Sequence, residues 1–240
     1  MSDLIAKVHS FETFGAVDGP GIRFIIFMQG CSLQCKYCHN RDTWDIHSGT
    51  SYTCNELLEK ILKYKNYFLS SGGGVTVSGG EPLLQYKFST QLFTLLKKEN
   101  IHTAIDTSGN IDLTDDIKKL INLTDLFLLD IKCINDEICK ELTGVSNKKE
   151  LAFAKYLSDI NKPIWIRQVI VPTITDRTED LQDLKEFIGT LKSVEKIELL
   201  PYHDMGKTKW INLGCKYELE NIRNANSNDI EYAKSILGIS

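Results

Sequence analysis

Three cysteines, Cys31, Cys35 and Cys38, fall within eight residues, so that one short loop can offer three thiolates. Thiolates are soft donors that suit zinc or an iron–sulfur cluster. A structural zinc site closes with four ligands, and a cubane held by protein alone takes four cysteines. No fourth cysteine stands at a comparable spacing, because Cys54, Cys133, Cys139 and Cys215 are dispersed and read as small buried hydrophobes or bystanders. Three protein ligands leave one iron open for chemistry, by the logic that separates catalytic from structural metal sites. The spacing therefore points to an open iron–sulfur site. The alternatives are a Cys3His zinc site using His39, awkward because His39 directly follows Cys38, or an electron-transfer cluster that borrows a distant cysteine.

Other residues able to do chemistry are spread along the chain. Gly79-Gly80-Glu81 lacks the Gly-Lys-Ser/Thr ending of a phosphate loop, so the residues alone read it as a tight turn. Asp130 and Lys132 close the apolar run Leu126-Phe127-Leu128-Leu129, and a strand would turn both to one face. Arg167 stands in a similar run, Ile164-Trp165-Ile166. Burying such charges unpaired is expensive. They form either an ion-pair network tying strands together or a set of contacts to a polar ligand. His203 is either a satisfied turn histidine or such a contact. Asp106 and Thr107 are either a turn in which the aspartate bonds its own backbone or, with Asp130, a hard oxygen cage.

These residues need elements to carry them. Six apolar runs read as parallel strands covered on both faces: Ile22–Met28, Gly74–Ser78, His102–Asp106, Leu126–Lys132, Ile164–Val171 and Lys196–Pro201. Helical periodicity follows at 55–69, 85–99, 114–122, 148–160, 179–191 and 228–237. The first of these puts Leu57, Leu58, Ile61, Leu62, Phe68 and Leu69 on one face, behind a capping box of Thr53 and Glu56. The alternation predicts an α/β fold, a partial (β/α)6 TIM-like barrel of parallel strands, although a doubly wound sheet shares the pattern. The cysteine loop, Gly79–Glu81, Asp106–Gly109, Asp130 with Lys132, and His203 all fall at the carboxyl ends of runs, where both architectures build sites. Arg167 alone lies within one.

At 240 residues, 42% hydrophobic and 25% charged, the chain fits one globular domain spanning 1–240, with a monomer as the default. The net charge of −4 argues against nucleic acid as a partner, since that binding leans on clustered Lys and Arg. No stretch is long enough to cross a bilayer, and the polar opening Met1-Ser2-Asp3 is no signal peptide, so a cytoplasmic protein with reduced thiols is expected.

The cysteine spacing, with an aromatic residue in Cys35-Lys36-Tyr37-Cys38, resembles the signature of radical S-adenosylmethionine (SAM) enzymes. Four further stretches are more specific: Asp18-Gly19-Pro20-Gly21-Ile22-Arg23, Tyr37 to Trp44, Gly72 to Pro82, and Leu200-Pro201-Tyr202-His203. Taken in order, they make the chain from about residue 8 to 210 similar to the pyruvate formate-lyase activating enzymes, a glycyl radical enzyme activating family.

That resemblance implies a [4Fe–4S] cluster on Cys31, Cys35 and Cys38 whose open iron chelates SAM. It implies reductive cleavage to a 5′-deoxyadenosyl radical, which abstracts a glycine hydrogen from pyruvate formate-lyase under anaerobic conditions. By the same resemblance, SAM contacts come from Tyr37, Cys38, His39, Asn40, Gly79, Gly80, Glu81, Asp130, Ile131, Lys132, Arg167 and His203. A monovalent cation would lie on Asp106, Thr107, Asp130 and the Leu128 carbonyl. Asp18 would hold the substrate protein's glycine loop, unless Gly19-Pro20-Gly21 is only a rigid turn. Lys36 and Arg41 would meet an acidic donor, flavodoxin or ferredoxin, unless they are merely solvated. The absence of a cysteine-rich insert before Gly72 favours the pyruvate formate-lyase type over other activases. The last 25 residues follow the family tail poorly and support only a closing helix. The rivals are an activase of another glycyl radical enzyme, a radical enzyme with a small-molecule substrate, or an iron–sulfur electron carrier or redox sensor.

Overall fold

The computed structural model describes residues 3–239, so Met1, Ser2 and Ser240 lie outside the described residues. The chain forms two compact units. The first takes residues up to Ser32, Thr43–Thr107 and Ile111–Leu128; the second takes Leu33–Asp42, Ser108–Asn110 and the residues from Leu129 on.

In the first unit lie β1 (Ile5–Gly15), β2 (Arg23–Met28), β3 (Thr50–Thr53), α1 (Cys54–Leu62), α2 (Lys65–Ser71), β4 (Gly74–Gly79), α3 (Tyr86–Lys98), β5 (His102–Thr107), α4 (Asp115–Leu123) and the start of β6 (Leu126–Asp130). Strands β2, β4 and β5 pair in parallel, and Phe24, Ile25, Ile26, Val75, Val77, Ala104 and Ile105 are all buried, as near-continuous apolar strands require. Strands β1 and β3 are antiparallel additions that the sequence reading missed. Their signal was the half-buried alternation of Ile5-Ala6-Lys7-Val8, which buries only Ala6 and Val8.

The capping box is present: Thr53 Oγ1 accepts from the Glu56 amide and Glu56 Oε2 accepts from the Thr53 amide, at 3.2 and 2.7 Å. The single helix expected over 55–69 is two, however. The chain breaks at Tyr64, whose ring packs on Phe24 and Phe14 at 5.5 and 5.7 Å. The break rotates α2, so Phe68 stays buried while Leu69 points to solvent.

The second unit holds α5 (Asp136–Thr143), α6 (Lys148–Asp159), β7 (Ile164–Ile170), α7 (Thr178–Gly189), β8 (Val194–Pro201), α8 (Lys207–Asn212) and α9 (Ser227–Leu237). Strands β7 and β8 pair in parallel. The closing helix α9 buries Ala233 against Ile170 and Leu181. Strand β8 corrects one expectation: it is an edge, with Glu195 and Lys196 exposed, and is not covered on both faces. Helices α5 and α8 are also additions to the sequence reading. Both are short, which leaves too few turns for a readable periodicity.

The strand order is β3-β1-β2-β4-β5-β6-β7-β8 in a mostly parallel sheet that does not close. From β2 onward this is the succession of six strands expected of a partial (β/α)6 fold. Among the described residues no helix is long and apolar enough to cross a membrane.

Candidate active site

In the first unit the site is built backbone against backbone. The Gly80 amide donates to the Met28 carbonyl (2.9 Å) and the Glu81 amide to the Gly30 carbonyl (2.7 Å). Gly79 has φ +116°, and a Cβ on Gly80 would stand 2.1 Å from the Gly30 oxygen. Only glycine lets the turn after β4 lie this close to the root of the cysteine loop. Cys31 is fixed there by its own amide, which donates to the Trp44 carbonyl at 3.3 Å.

Glu81 is 1% exposed, a buried carboxylate that must be satisfied. It accepts from the Leu83 amide at 3.1 Å and from Thr107 Oγ1 at 2.5 Å. Ser78 Oγ donates to Asp106 Oδ2 at 2.7 Å. Thus Asp106 and Thr107, read from the sequence as cation ligands, are tied to the residues of β4 and the turn that follows it.

In the second unit the remaining cysteines lie on a loop pinned from two sides. The Gln34 and Lys36 amides donate to the carbonyls of Thr143 and Leu142 at the end of α5, at 2.7 and 2.9 Å. Trp210 of α8 donates from Nε1 to the Cys38 carbonyl at 2.9 Å, and its ring is braced edge-on by Tyr217. His39 Nε2 lies 2.9 Å from the His203 carbonyl, and the two imidazoles sit 4.2 Å apart. Burial, aided by His39, lowers the His203 pKa, which keeps that ring neutral at pH 7. Its Nδ1 is buried without a hydrogen-bond partner among the described residues.

Lys132 bonds Asp130 Oδ2 through Nζ at 2.7 Å, and its amide donates to Glu150 at 2.8 Å. Burial is the largest single influence and works to lower the lysine pKa, but Asp130, Tyr37 and Cys35 together outweigh it and hold the ammonium well above its usual range. The strand expected to carry both residues ends at Asp130, so Lys132 reaches its partner from the following loop and not by strand periodicity. Tyr37 stands beside them, buried, and that burial raises its phenol pKa well above normal. Ile131 is wholly buried and its amide donates to the Arg167 carbonyl at 2.9 Å. Arg167, 6% exposed, donates from Nε to Glu198 Oε2 of β8 at 2.9 Å. All three charges are therefore ion-paired, Asp130 with Lys132 and Arg167 with Glu198. Asn40 accepts from Lys209 Nζ at 3.1 Å.

No disulfide joins any of the seven cysteines. Cys54, Cys133 and Cys139 are buried bystanders, as expected, with burial pushing their thiols up to about 12, 12 and 11. Among the described residues no three His, Cys, Asp or Glu side chains are gathered as around one metal ion. What fits an iron–sulfur cluster is the donor set, three thiols on one loop whose backbone is held at Cys31, Gln34, Lys36 and Cys38.

The radical SAM superfamily model matches residues 25–188. The chain is 48% identical over 235 residues to the pyruvate formate-lyase 1-activating enzyme of Escherichia coli K12, covering 98% of this chain and 96% of that protein. This chain belongs to the pyruvate formate-lyase activating enzymes of the radical SAM superfamily. It is also 52% identical over 225 residues to the activating enzyme of Staphylococcus epidermidis, covering 91% and 90% of the two chains. Among solved structures, Streptococcus suis SuiB bound to its precursor peptide shares the fold, with a TM-score of 0.67, 18% identity and coverage of 89% of this chain and 45% of that one. For an activating enzyme of this family, the sequence reading missed the supports: Thr143, Trp210 and Tyr217 hold the cysteine loop but carry no motif. Trp210 was the findable one, since a tryptophan in a polar stretch needs a partner for its N–H.

Proposed function

We propose that this enzyme installs a glycyl radical in pyruvate formate-lyase, with Cys31, Cys35 and Cys38 holding a [4Fe–4S] cluster. The observation that carries the reading is the three-cysteine loop in a chain 48% identical, nearly end to end, to a pyruvate formate-lyase 1-activating enzyme. When bound, SAM and the reduced cluster supply a 5′-deoxyadenosyl radical able to take a hydrogen atom from a backbone glycine.

The chain's own residues bind, orient and exclude water. Gly79, Gly80 and Glu81 offer backbone groups beside Cys31 to the methionine end of SAM. Lys132, held cationic by Asp130, faces its carboxylate, and Arg167 adds positive charge from β7. Tyr37, His39, Asn40 and the backbone of Cys38 and Ile131 line the nucleoside end, where His203 Nδ1 is available as a hydrogen-bonding atom. Asp106, Thr107, Asp130 and the Leu128 carbonyl hold a monovalent cation. Asp18 receives the glycine loop of the substrate protein. No general base is needed, because a hydrogen atom moves rather than a proton.

An acidic flavodoxin or ferredoxin supplies the electron beside Lys36 and Arg41. Lys36 is shared between Glu218 and Glu141, at 3.3 and 4.0 Å, and Arg41 lies over the Trp210 ring at 5.5 Å. The enzyme works as a monomer in an anaerobic cytoplasm.

The test is SAM affinity in the anaerobically reconstituted enzyme. Lys132→Ala and His203→Ala each weaken binding roughly tenfold, the worth of one charge-assisted or buried hydrogen bond. Unchanged affinity in both variants overturns this assignment of residues, and failure of the native enzyme to release 5′-deoxyadenosine overturns the reaction.

A further inference from the structure

Arg23 is charged, 0% exposed and unused by the chemistry above. It stands at the start of β2, and its guanidinium reaches the adjacent strand β4 and, beyond it, β5. Nε donates to Thr76 Oγ1 of β4 at 2.9 Å, Nη2 to the Val75 carbonyl at 2.6 Å, and Nη1 to His102 Nδ1 of β5 at 3.2 Å. The Thr76 hydroxyl, having accepted from Arg23, donates onward to the backbone carbonyl of Asp18 at 2.6 Å. A fork of fixed geometry thus sets the direction of one hydroxyl, and that hydroxyl anchors Asp18.

The chain after Asp18 is fixed by contact. Gly21 has φ +65°, and a Cβ there would stand 2.5 Å from both the Gly73 nitrogen and the Ser71 oxygen. The Ile22 amide donates to Ser71 Oγ at 3.0 Å. With Gly21 and Ile22 clamped between α2 and β4, the bond from Thr76 ties the Asp18 backbone to β4. Burial and the Arg23 charge hold His102 down to about 4, so it is neutral and free to accept from the guanidinium at working pH.

We propose that Arg23 and Thr76 are positioning residues for the protein substrate, their relay setting the height and direction at which Asp18 meets the glycine loop. This rests on the reading that Asp18 engages that loop. A pairing that only ties β2 to β4 would leave substrate binding untouched.

Thr76→Val keeps the side-chain shape and removes the hydroxyl, whereas Thr76→Ser keeps the hydroxyl. The cluster-loaded enzyme is assayed for KM and kcat with pyruvate formate-lyase, and separately for 5′-deoxyadenosine release without protein substrate. Thr76→Val is expected to raise KM about tenfold, the loss of one buried hydrogen bond. Cluster content and uncoupled release stay unchanged, and Thr76→Ser restores KM. In an Asp18→Ala background Thr76→Val adds nothing, because both act through one contact. Arg23→Lys, which keeps the charge and loses the fork, raises KM in the same direction. If Asp18→Ala raises KM while Thr76→Val and Arg23→Lys do not, the relay is overturned and the role of Asp18 stands. If Asp18→Ala itself leaves KM unchanged, the reading beneath the proposal falls with it. A parallel loss of uncoupled release and cluster content in the Thr76 and Arg23 variants marks a purely structural role and also overturns the proposal.

Discussion

The turn after β4 and the loop from Leu33 to Asn40 hold their functional groups in opposite ways. After β4, position is enforced by exclusion. Gly79 and Gly80 press against the end of β2, and Glu81 is buried and satisfied by Leu83 and Thr107. Around Cys35 and Cys38, position is enforced by discrete bonds, two from the end of α5 and one from Trp210. Steric exclusion leaves no neighbouring conformation to visit, whereas each neutral hydrogen bond contributes only about 1 kcal/mol. The first region is a fixed wall and the second an adjustable one, which suits a loop that must accept a cluster.

The harshest challenge to this contrast is Cys35→Ala. It removes a cluster ligand, so iron content and activity should be lost entirely, while the thermal transition of the cluster-free protein moves little. Gly80→Ala comes next and should do the reverse of a ligand change. With the Gly30 oxygen 2.1 Å from the new Cβ, backbone must shift, at a cost of roughly 3 kcal/mol read from urea unfolding. A smaller loss than that of Trp210→Phe would break the contrast.

A pH test probes the base of the first region. His102 titrates near 4 in the folded chain, below its ordinary value, so the unfolded chain takes up the proton first. Its share of stability is intact above about pH 6.5 and declines as pH falls toward 4. Between pH 7 and 5 that decline amounts to about 2 kcal/mol. His102→Gln should flatten the acid limb of the stability curve by a similar amount. Least of all, Trp210→Phe keeps the ring and removes one bond to the Cys38 carbonyl. It should cost about 1 kcal/mol and speed loss of the cluster's visible absorbance in air.

The same contrast explains what could be read from the sequence. The parallel strands were legible because continuous apolar runs have few other uses, and the capping box at Thr53 because two side chains specify it. Asp130 and the cysteines stood out because their types are costly or rare where they stand, whereas Gly79–Glu81 read from the residues alone as the tight turn it is. The ring of Tyr64 that splits α1 from α2, the six-residue α8, and the Trp210 bond depend on contacts between residues distant in the chain. Lys132 shows the limit of periodicity: it was read as sharing a strand face with Asp130, but it pairs with Asp130 from a loop. Arg23 was visible only as part of a motif, since its value lies in Thr76, 53 residues away.

The most direct measurement is an anaerobic electron paramagnetic resonance spectrum of the reduced, cluster-loaded enzyme mixed with SAM and purified pyruvate formate-lyase. The account predicts a glycyl radical doublet, with 5′-deoxyadenosine formed in matching amount. A cluster that reduces normally yet yields neither doublet nor deoxyadenosine would contradict it.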